Sequence, residues 1–263
     1  MSDIPFSMVH LLITAFHRLQ NKIQSMLINL NPNFVFYDFT YWIPSFTHPI
    51  GIKSIGHSIV SAASFAYFIV PSRNIKNDDI ETKMKLMNPP PNFPPYSPLK
   101  LHFHEVHSIV AFMTRKIGDT NLFFFELSNI SMKECDLVAI RTCREIEGPY
   151  CDYLEVQYGK PVLLTGPALP DQQNIAIHPL EEKWANWLGG FKPGSVLYCA
   201  FGSEWVLRKD QFQELVLGFE LTGMPFLVAL KPPVGAATVE EVLPTEFEER
   251  VSGRGVVYGG WVQ

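Results

Sequence analysis

Asp38 is the first residue whose type and position indicate chemistry. It follows the apolar run 34–37, which is apolar on both faces and so predicts a central strand of a parallel sheet. A carboxylate at the carboxyl end of such a strand lies on the edge where α/β proteins bind ligands. There it could orient a histidine, as the acidic member of a catalytic triad does. The alternative is that Asp38 caps a turn or a helix.

Gly202 and Ser203 form a second candidate site. They stand between a predicted strand, 196–200, and a predicted helix, 209–222. Backbone N–H groups and a serine hydroxyl near a helix N-terminus can bind a phosphate, although serine is also an ordinary helix cap. The sequence contains neither a Walker P-loop nor G-x-G-x-x-G, which argues against a kinase and against an NAD-dependent Rossmann enzyme.

The sequence closes on a third candidate, Trp261-Val262-Gln263, which follows a predicted strand and two glycines. A tryptophan at a strand end could stack a nucleobase on its indole, or it could pack in a core or an interface. A strand that ends at an open loop is normally followed by a helix that covers it. We therefore interpret the sequence as a fragment.

Histidine and cysteine spacing does not favour a metal site. The cluster His102, His104 and His107 lacks the H-E-x-x-H spacing of a zincin, because His104 and His107 are three residues apart rather than four. We expect an exposed loop there. The four cysteines contain no C-x-x-C pair and are expected to be reduced and to act as small apolar residues. G-x-S-x-G is absent, which argues against a serine hydrolase of the α/β type.

Composition limits the class of protein. The chain has 263 residues, of which 47% are hydrophobic and 18% charged, so it can bury a large core. A net charge of −5 argues against a nucleic-acid surface. No apolar run reaches the roughly 18 residues of a membrane helix, and the N-terminus lacks the pattern of a signal peptide. We expect a cytoplasmic protein without stable membrane insertion.

Alternating apolar runs and helical periodicity predict a doubly wound α/β fold with mostly parallel sheets. The proline-rich stretch 71–98 is expected to be a loop. The predicted helices are 8–30, 58–68, 105–127, 147–158 and 209–222, and the predicted strands are 34–37, 53–55, 136–140, 161–164, 196–200, 226–230 and a last strand running to 261. We predict an N-terminal Rossmann-like domain at 1–167, a linker at 168–190, and the start of a C-terminal Rossmann-like domain at 191–263.

The motifs, taken in order, resemble a known family. The segments that carry the resemblance are 33–44, 140–148, 163–167, 195–203, 209–215 and 260–263. As a set they resemble the plant family 1 UDP-sugar glycosyltransferases, and 260–263 resembles the opening of the plant secondary-product motif. The nearest branch is that of enzymes extending the sugar of flavonoid or anthocyanin 3-O-glycosides. The resemblance covers nearly the whole chain.

The resemblance implies an α/β fold of GT-B type, with two Rossmann-like domains and parallel sheets, both incomplete here. It implies inverting transfer of a sugar from a UDP-sugar to an acceptor hydroxyl, with a histidine as general base. Asp38 would hold that histidine, Ser203 would contact the diphosphate, Trp261 would stack on uracil, and the Val262 and Gln263 backbone would read the base edge. It implies no metal and no cofactor beyond the UDP-sugar donor. The expected partners are that donor and a flavonoid or anthocyanin glycoside, with no nucleic acid, and a full-length monomer.

Two departures from the family pattern lower the expected activity. None of the eight histidines has the sequence context of the family's general base, and the later ligands of the nucleotide motif are not in the sequence. We therefore predict no turnover from this chain alone, and an unpaired sheet edge that makes it prone to aggregation. The competing interpretation is a non-catalytic glycosyltransferase-like binding protein or the product of a pseudogene.

Overall fold

The structure is a computed structural model that describes residues 8–167, 180–202 and 205–262. Its internal contacts divide the chain into two compact units, one within Ser7–Pro170 and one within Asp171–Gln263. The domain limits predicted above stay a prediction. No helix among the described residues is long and apolar enough to cross a membrane.

The first unit is built on a parallel sheet with the order β1-β2-β3-β4. Its strands are β1 (Phe34–Tyr37), β2 (Lys53–Ser58), β3 (Leu137–Ile140) and β4 (Val162–Leu164). Because every pair is parallel, the carboxyl ends of all four strands lie along one edge of the sheet. All four strands were predicted, β1, β3 and β4 from their apolar runs and β2 from its place after the turn at 49–51.

The helices of the first unit share one hydrophobic core with this sheet. They are α1 (Val9–His17), α2 (Gln20–Leu30), α3 (Ile43–Thr47), α4 (Ala62–Phe68), α5 (Ile80–Leu86), α6 (Phe103–Met113), α7 (Phe124–Glu134) and α8 (Arg144–Tyr158). The core between helices and sheet includes Phe65, Tyr67, Val110, Ile140 and Leu154, all of which are buried.

Two long predicted helices are wrong, because each is two helices. The stretch 8–30 breaks between α1 and α2, where the helical spacing of its apolar residues continues across the break and hides it. The stretch 105–127 breaks between α6 and α7. There Gly118 adopts a positive φ of 70°, and Lys116 pairs with Phe123 in an antiparallel bridge. Glycine takes that conformation without the steric cost that other residues meet.

The second unit carries a parallel sheet with the order β5-β6-β7. Its elements are β5 (Leu197–Ala200), β6 (Phe226–Ala229), β7 (Gly255–Tyr258), α9 (Glu182–Gly189), α10 (Lys209–Leu221) and α11 (Phe247–Arg250). Phe212, Phe226 and Phe247 fill its core. Gly255 is required at the start of β7, since a Cβ there would lie 2.4 Å from the Phe226 ring.

Candidate functional site

Asp38 lies where the sequence predicts it, directly after the carboxyl end of β1. The next residue, Phe39, has a positive φ of 53°, an uncommon conformation for a bulky side chain. The Thr40 hydroxyl donates to the Asp38 carbonyl at 2.8 Å, which closes the turn. The turn thus fixes the position of the Asp38 carboxylate at the edge formed by the carboxyl ends of the strands, where α/β proteins bind ligands.

The Asp38 carboxyl is partly buried, and burial dominates its electrostatics. Burial raises the pKa of Asp38 to about 6, against a smaller opposing effect of the Phe39 N–H. Burial therefore destabilises the ionised form of the Asp38 carboxyl at the end of β1. A carboxylate in this condition favours a cationic partner, since a nearby positive charge would lower its pKa again.

His17, at the end of α1, lies against the same turn and was not singled out from the sequence. Its imidazole makes an edge-to-face contact with Tyr41 at 5.3 Å between ring centroids. Both ring nitrogens are buried without a hydrogen-bond partner. Burial lowers the pKa of His17. The ring is therefore neutral at pH 7, and no signal in the sequence distinguishes it from a surface histidine of α1.

No histidine among residues 8–167, 180–202 and 205–262 hydrogen-bonds to the Asp38 carboxylate. His57 lies in β2, and its Nε2 is 3.2 Å from the Thr165 hydroxyl. The ring of His57 also contacts Phe36 edge-to-face. In the described part of the chain, the Asp38 carboxylate therefore has no histidine hydrogen-bonded to it.

The N-terminus of α4 at the same edge is occupied by a protein carboxylate. Glu147, in a kinked turn of α8, accepts the Ala62 and Ala63 N–H groups at 3.0 Å each. Ser61 caps the same helix through the Ser64 N–H. A helix N-terminus is a site for anions, and here Glu147 takes the place of an external one. The contact depends on tertiary structure, which is why the sequence pattern did not reveal it.

A second carboxylate, Asp136, lies at the opposite edge of this sheet, just before β3. It accepts the Ser54 N–H at 2.9 Å and the Ser54 hydroxyl at 3.1 Å. Lys53 Nζ donates to it at 2.9 Å, and His48 Nε2 is 3.0 Å away. Ser54 Oγ faces the same Nε2 at 3.4 Å. A catalytic triad needs the serine and the aspartate on different ring nitrogens, so this Ser-His-Asp set does not form one.

Trp261 in the second unit is fixed by its neighbours. Val262 is only 8% exposed and packs with Trp184 and Leu227, which anchors the segment after β7. A Cβ on Gly260 would lie 2.6 Å from the Tyr258 ring, so only glycine lets the chain turn there. The Trp261 side chain is 74% exposed, and its indole is therefore open to a ligand.

A cation lies beside the end of β7 in the same unit. Lys183 Nζ is 4.7 Å from the ring centroids of both Trp184 and Tyr258. It also pairs with Glu181 at 2.9 Å. Ser203 and Gln263, the other predicted donor-binding residues of this unit, lie outside the described residues.

The histidine cluster is not the exposed loop that was expected, because it forms the start of α6. His102 is the residue before the helix, and its N–H donates to Glu105 Oε2 at 2.7 Å. The rings of His102 and His104 stack at 5.8 Å between centroids. Within the described ranges, no group of three or more metal-ligating side chains is placed to hold an ion. All four cysteines are free thiols.

Relatives in sequence carry the names of plant glycosyltransferases. A cyanidin 3-O-galactoside 2''-O-xylosyltransferase of Actinidia chinensis var. chinensis is 49% identical over 263 residues, which is all of this chain and 56% of the relative. An anthocyanidin 3-O-glucoside 2''-O-glucosyltransferase of Ipomoea nil is 48% identical over 262 residues, with the same two coverages. The chain spans little more than half the length of these relatives. No protein-family model matches it.

Solved structures with the same fold are UDP-glycosyltransferases. A UDP-glucose: anthocyanidin 3-O-glucosyltransferase in complex with UDP superposes with a TM-score of 0.68 at 20% identity, over 99% of this chain and 56% of that one. A UDP-glucosyltransferase from Polygonum tinctorium, in complex with 3,4-dichloroaniline, gives 0.66 at 20% identity, over 100% of this chain and 58% of that one.

The parallel sheets and these superpositions define the fold as that of a GT-B glycosyltransferase, incomplete relative to the longer solved chains. The expected fold class is confirmed. In sequence, the chain is similar along its whole length to plant UDP-glycosyltransferases, among them anthocyanidin 3-O-glycoside glycosyltransferases. The resemblance drawn from its motifs is confirmed as well.

Proposed function

We propose that this chain is part of an inverting glycosyltransferase that moves a sugar from a UDP-sugar to a hydroxyl of a flavonoid or anthocyanin glycoside. The observation that carries the proposal is 49% identity, over the whole chain, to a relative named for that reaction. The relatives' names include both glucosyl and xylosyl transfer, so the donor sugar stays open.

In this proposal the second unit binds the donor. Trp261 stacks on the uracil ring, and its 74% exposure leaves an indole face free for that contact. The backbone of Val262 and Gln263 reads the base edge, and Ser203 binds the diphosphate. Hydroxyl and backbone N–H groups, rather than a metal ion, offset the diphosphate charge.

Asp38 supplies the helper carboxylate of the transfer step. It holds a histidine that removes the proton of the acceptor hydroxyl as that oxygen attacks the anomeric carbon. The raised pKa of Asp38 supports this role, because a poorly solvated carboxylate is stabilised when an imidazolium forms beside it. No histidine of the described residues bonds to Asp38. We therefore expect the 263-residue chain to bind ligands without transferring sugar.

The test is calorimetric titration of the purified chain with UDP. We expect binding in the wild type and a loss of about tenfold in affinity in Trp261→Ala, since stacking of a base on an aromatic side chain contributes roughly 1–3 kcal/mol. Tyr96→Ala is the matched control, because Tyr96 is a fully exposed aromatic residue of the other unit. Equal UDP affinity in the wild type and Trp261→Ala would contradict the assignment of Trp261.

The binding-protein alternative predicts a different pattern. A non-catalytic relative that holds an acceptor would bind a flavonoid glycoside but not UDP. If the wild-type chain binds the glycoside but not UDP, the proposal that the second unit binds the donor is wrong.

A further inference from the structure

His57 lies at the same edge of the first unit's sheet as Asp38. It is the last residue but one of β2, the strand that pairs with β1. The register aligns Tyr37 with Gly56, so Asp38 and His57, one residue further along each strand, are level with each other. Neighbouring strands are about 4.8 Å apart, and a ligand held at Asp38 would therefore be within reach of His57.

The Thr165 hydroxyl determines which nitrogen of the His57 ring carries the proton. Its hydrogen is directed at the Ile140 carbonyl, at 3.1 Å, so its oxygen accepts the bond from His57 Nε2 at 3.2 Å. Nε2 therefore carries the hydrogen, and Nδ1 presents a lone pair. Among the described residues, none forms a hydrogen bond with Nδ1, and this nitrogen is not enclosed by protein.

The surroundings of His57 are fixed and largely apolar. Phe36, which is 57% exposed, meets the His57 ring edge-to-face at 6.4 Å between centroids. The turn after β2 is closed by the Ser58 hydroxyl, which accepts the Val60 N–H at 3.3 Å, and both Ile59 and Val60 are exposed. One hydrogen-bond acceptor beside exposed apolar side chains suits a ligand that is partly flat and apolar and partly hydroxylated.

We propose that His57 Nδ1 accepts a hydrogen bond from a sugar hydroxyl of the acceptor glycoside and so selects glycosides over the free flavonoid. The inference rests on the proposed function and adds a specificity-determining residue to it. A sugar carries hydroxyl groups on adjacent carbons, so one hydroxyl can lie at Asp38 while its neighbour meets His57. A hydroxyl can donate to the Nδ1 lone pair, whereas an ionised carboxylate or phosphate has only acceptors.

The competing role of His57 is structural, as a tie between β2 and the end of β4 through Thr165 alone. The two roles use different ring nitrogens, and two amide side chains separate them. In His57→Gln the amide reaches the position of Nε2, which keeps a donor for Thr165 but leaves no acceptor at the position of Nδ1. In His57→Asn the amide oxygen takes the position of Nδ1, and the bond to Thr165 is lost.

The experiment titrates the 263-residue chain by calorimetry with quercetin 3-O-glucoside, with quercetin and with UDP. We expect the wild type to bind the glucoside more tightly than quercetin. His57→Gln should bind the glucoside about fivefold more weakly, because one hydrogen bond is lost, and His57→Asn should stay within about twofold of the wild type. Quercetin and UDP affinities should be unchanged in both variants. His107→Asn is the control, since His107 is an exposed histidine of α6 in the same unit. Urea denaturation reports the stability of each variant separately.

Three results would overturn the inference while leaving the proposed function in place. They are a His57→Gln variant that binds the glucoside as tightly as the wild type, a greater loss of glucoside affinity in His57→Asn than in His57→Gln, and an equal loss for glucoside and quercetin. The second is the order that a purely structural role predicts, and the third would show that the sugar is not what His57 recognises. A wild-type chain that does not bind the glucoside would instead refute the acceptor half of the proposed function, and the inference with it. The two failures are therefore distinguishable.

Discussion

Asp38 and Asp136 are aspartates of the same sheet with opposite surroundings. Asp136 lies at the amino edge, before β3, and accepts hydrogen bonds from Ser54 and Lys53. Burial alone would raise the pKa of Asp136, but these donors and the nearby His48 outweigh it and hold the pKa well below its usual range. Asp38 lies at the carboxyl edge, after β1, and burial raises its pKa to about 6.

From this difference we infer that Asp136 has a structural role, and we propose that Asp38 has a functional one. At the amino edge, Asp136 is surrounded by donors that stabilise its charge, and it joins β2 to β3 at their starts. At the carboxyl edge, the turn holds Asp38 in place, and only the Phe39 N–H opposes the effect of burial on its pKa. Groups kept in an unfavourable charge state concentrate at functional sites, because selection there favours reactivity over stability. The comparison supports the proposed role of Asp38.

The largest expected effect is at Asp136. We predict that Asp136→Ala lowers the free energy of unfolding by about 2–4 kcal/mol, because three charge-assisted hydrogen bonds are lost and the Ser54 donors lose their acceptor. Urea denaturation at pH 7 measures it. Asp119→Ala is the control, since Asp119 pairs with Arg18 on the open surface and its removal should hardly change the midpoint. If Asp136→Ala and Asp119→Ala both lower the unfolding free energy only slightly, Asp136 does not stabilise the fold as we predict.

Asp38→Asn should act in the opposite direction. Asparagine keeps the shape of the side chain and removes the poorly solvated charge, so we predict a gain of about 1–2 kcal/mol in unfolding free energy at pH 7.5. Urea denaturation of the variant beside the wild type measures it. A loss of stability would mean that the Asp38 charge is compensated in the fold, and the contrast with Asp136 would fail.

The pH dependence gives a smaller effect that separates the two residues further. A carboxyl with a raised folded-state pKa destabilises the fold while it is ionised, so the advantage of Asp38→Asn should be full above pH 6 and vanish as the pH falls toward 4. The contribution of Asp136 has the opposite sign. It is fully present above the unfolded-state pKa near 4 and declines only as the pH falls below that value. Urea midpoints of the wild type and both variants between pH 3 and pH 8 measure the two windows. If the urea midpoints of the wild type and Asp38→Asn differ by the same amount across that pH range, the pKa of Asp38 is not raised in the folded state.

Sequence patterns predicted the strands better than the helices. Most strands, such as β1 and β3, are short apolar runs between turn residues, and that signal is local. The sequence pattern does not predict the helix breaks near Leu19 and Gly118. Amphipathic spacing continues through the break at Leu19, and a single glycine is weak evidence for a break at Gly118. The position of Asp38 followed from its place at the end of β1. Its raised pKa did not, since burial depends on what packs around it.

The residues that sequence reasoning missed act through contacts with distant segments. His17 meets the turn after β1 from α1, and Glu147 reaches the N-terminus of α4 from α8. The roles that the family resemblance implies for Ser203 and Gln263 stay predictions, since both residues lie outside the described part of the chain.

The most direct test of this account is a pH titration of the two aspartates by carbon-13 NMR of their carboxyl groups. Selective assignment comes from the Asp38→Asn and Asp136→Asn variants, each of which removes one signal. We predict that Asp38 titrates near pH 6 and that Asp136 stays ionised to well below the ordinary range of aspartate. Two curves that coincide near pH 4, or a reversal of their order, would contradict the division between a functional carboxyl edge and a structural amino edge.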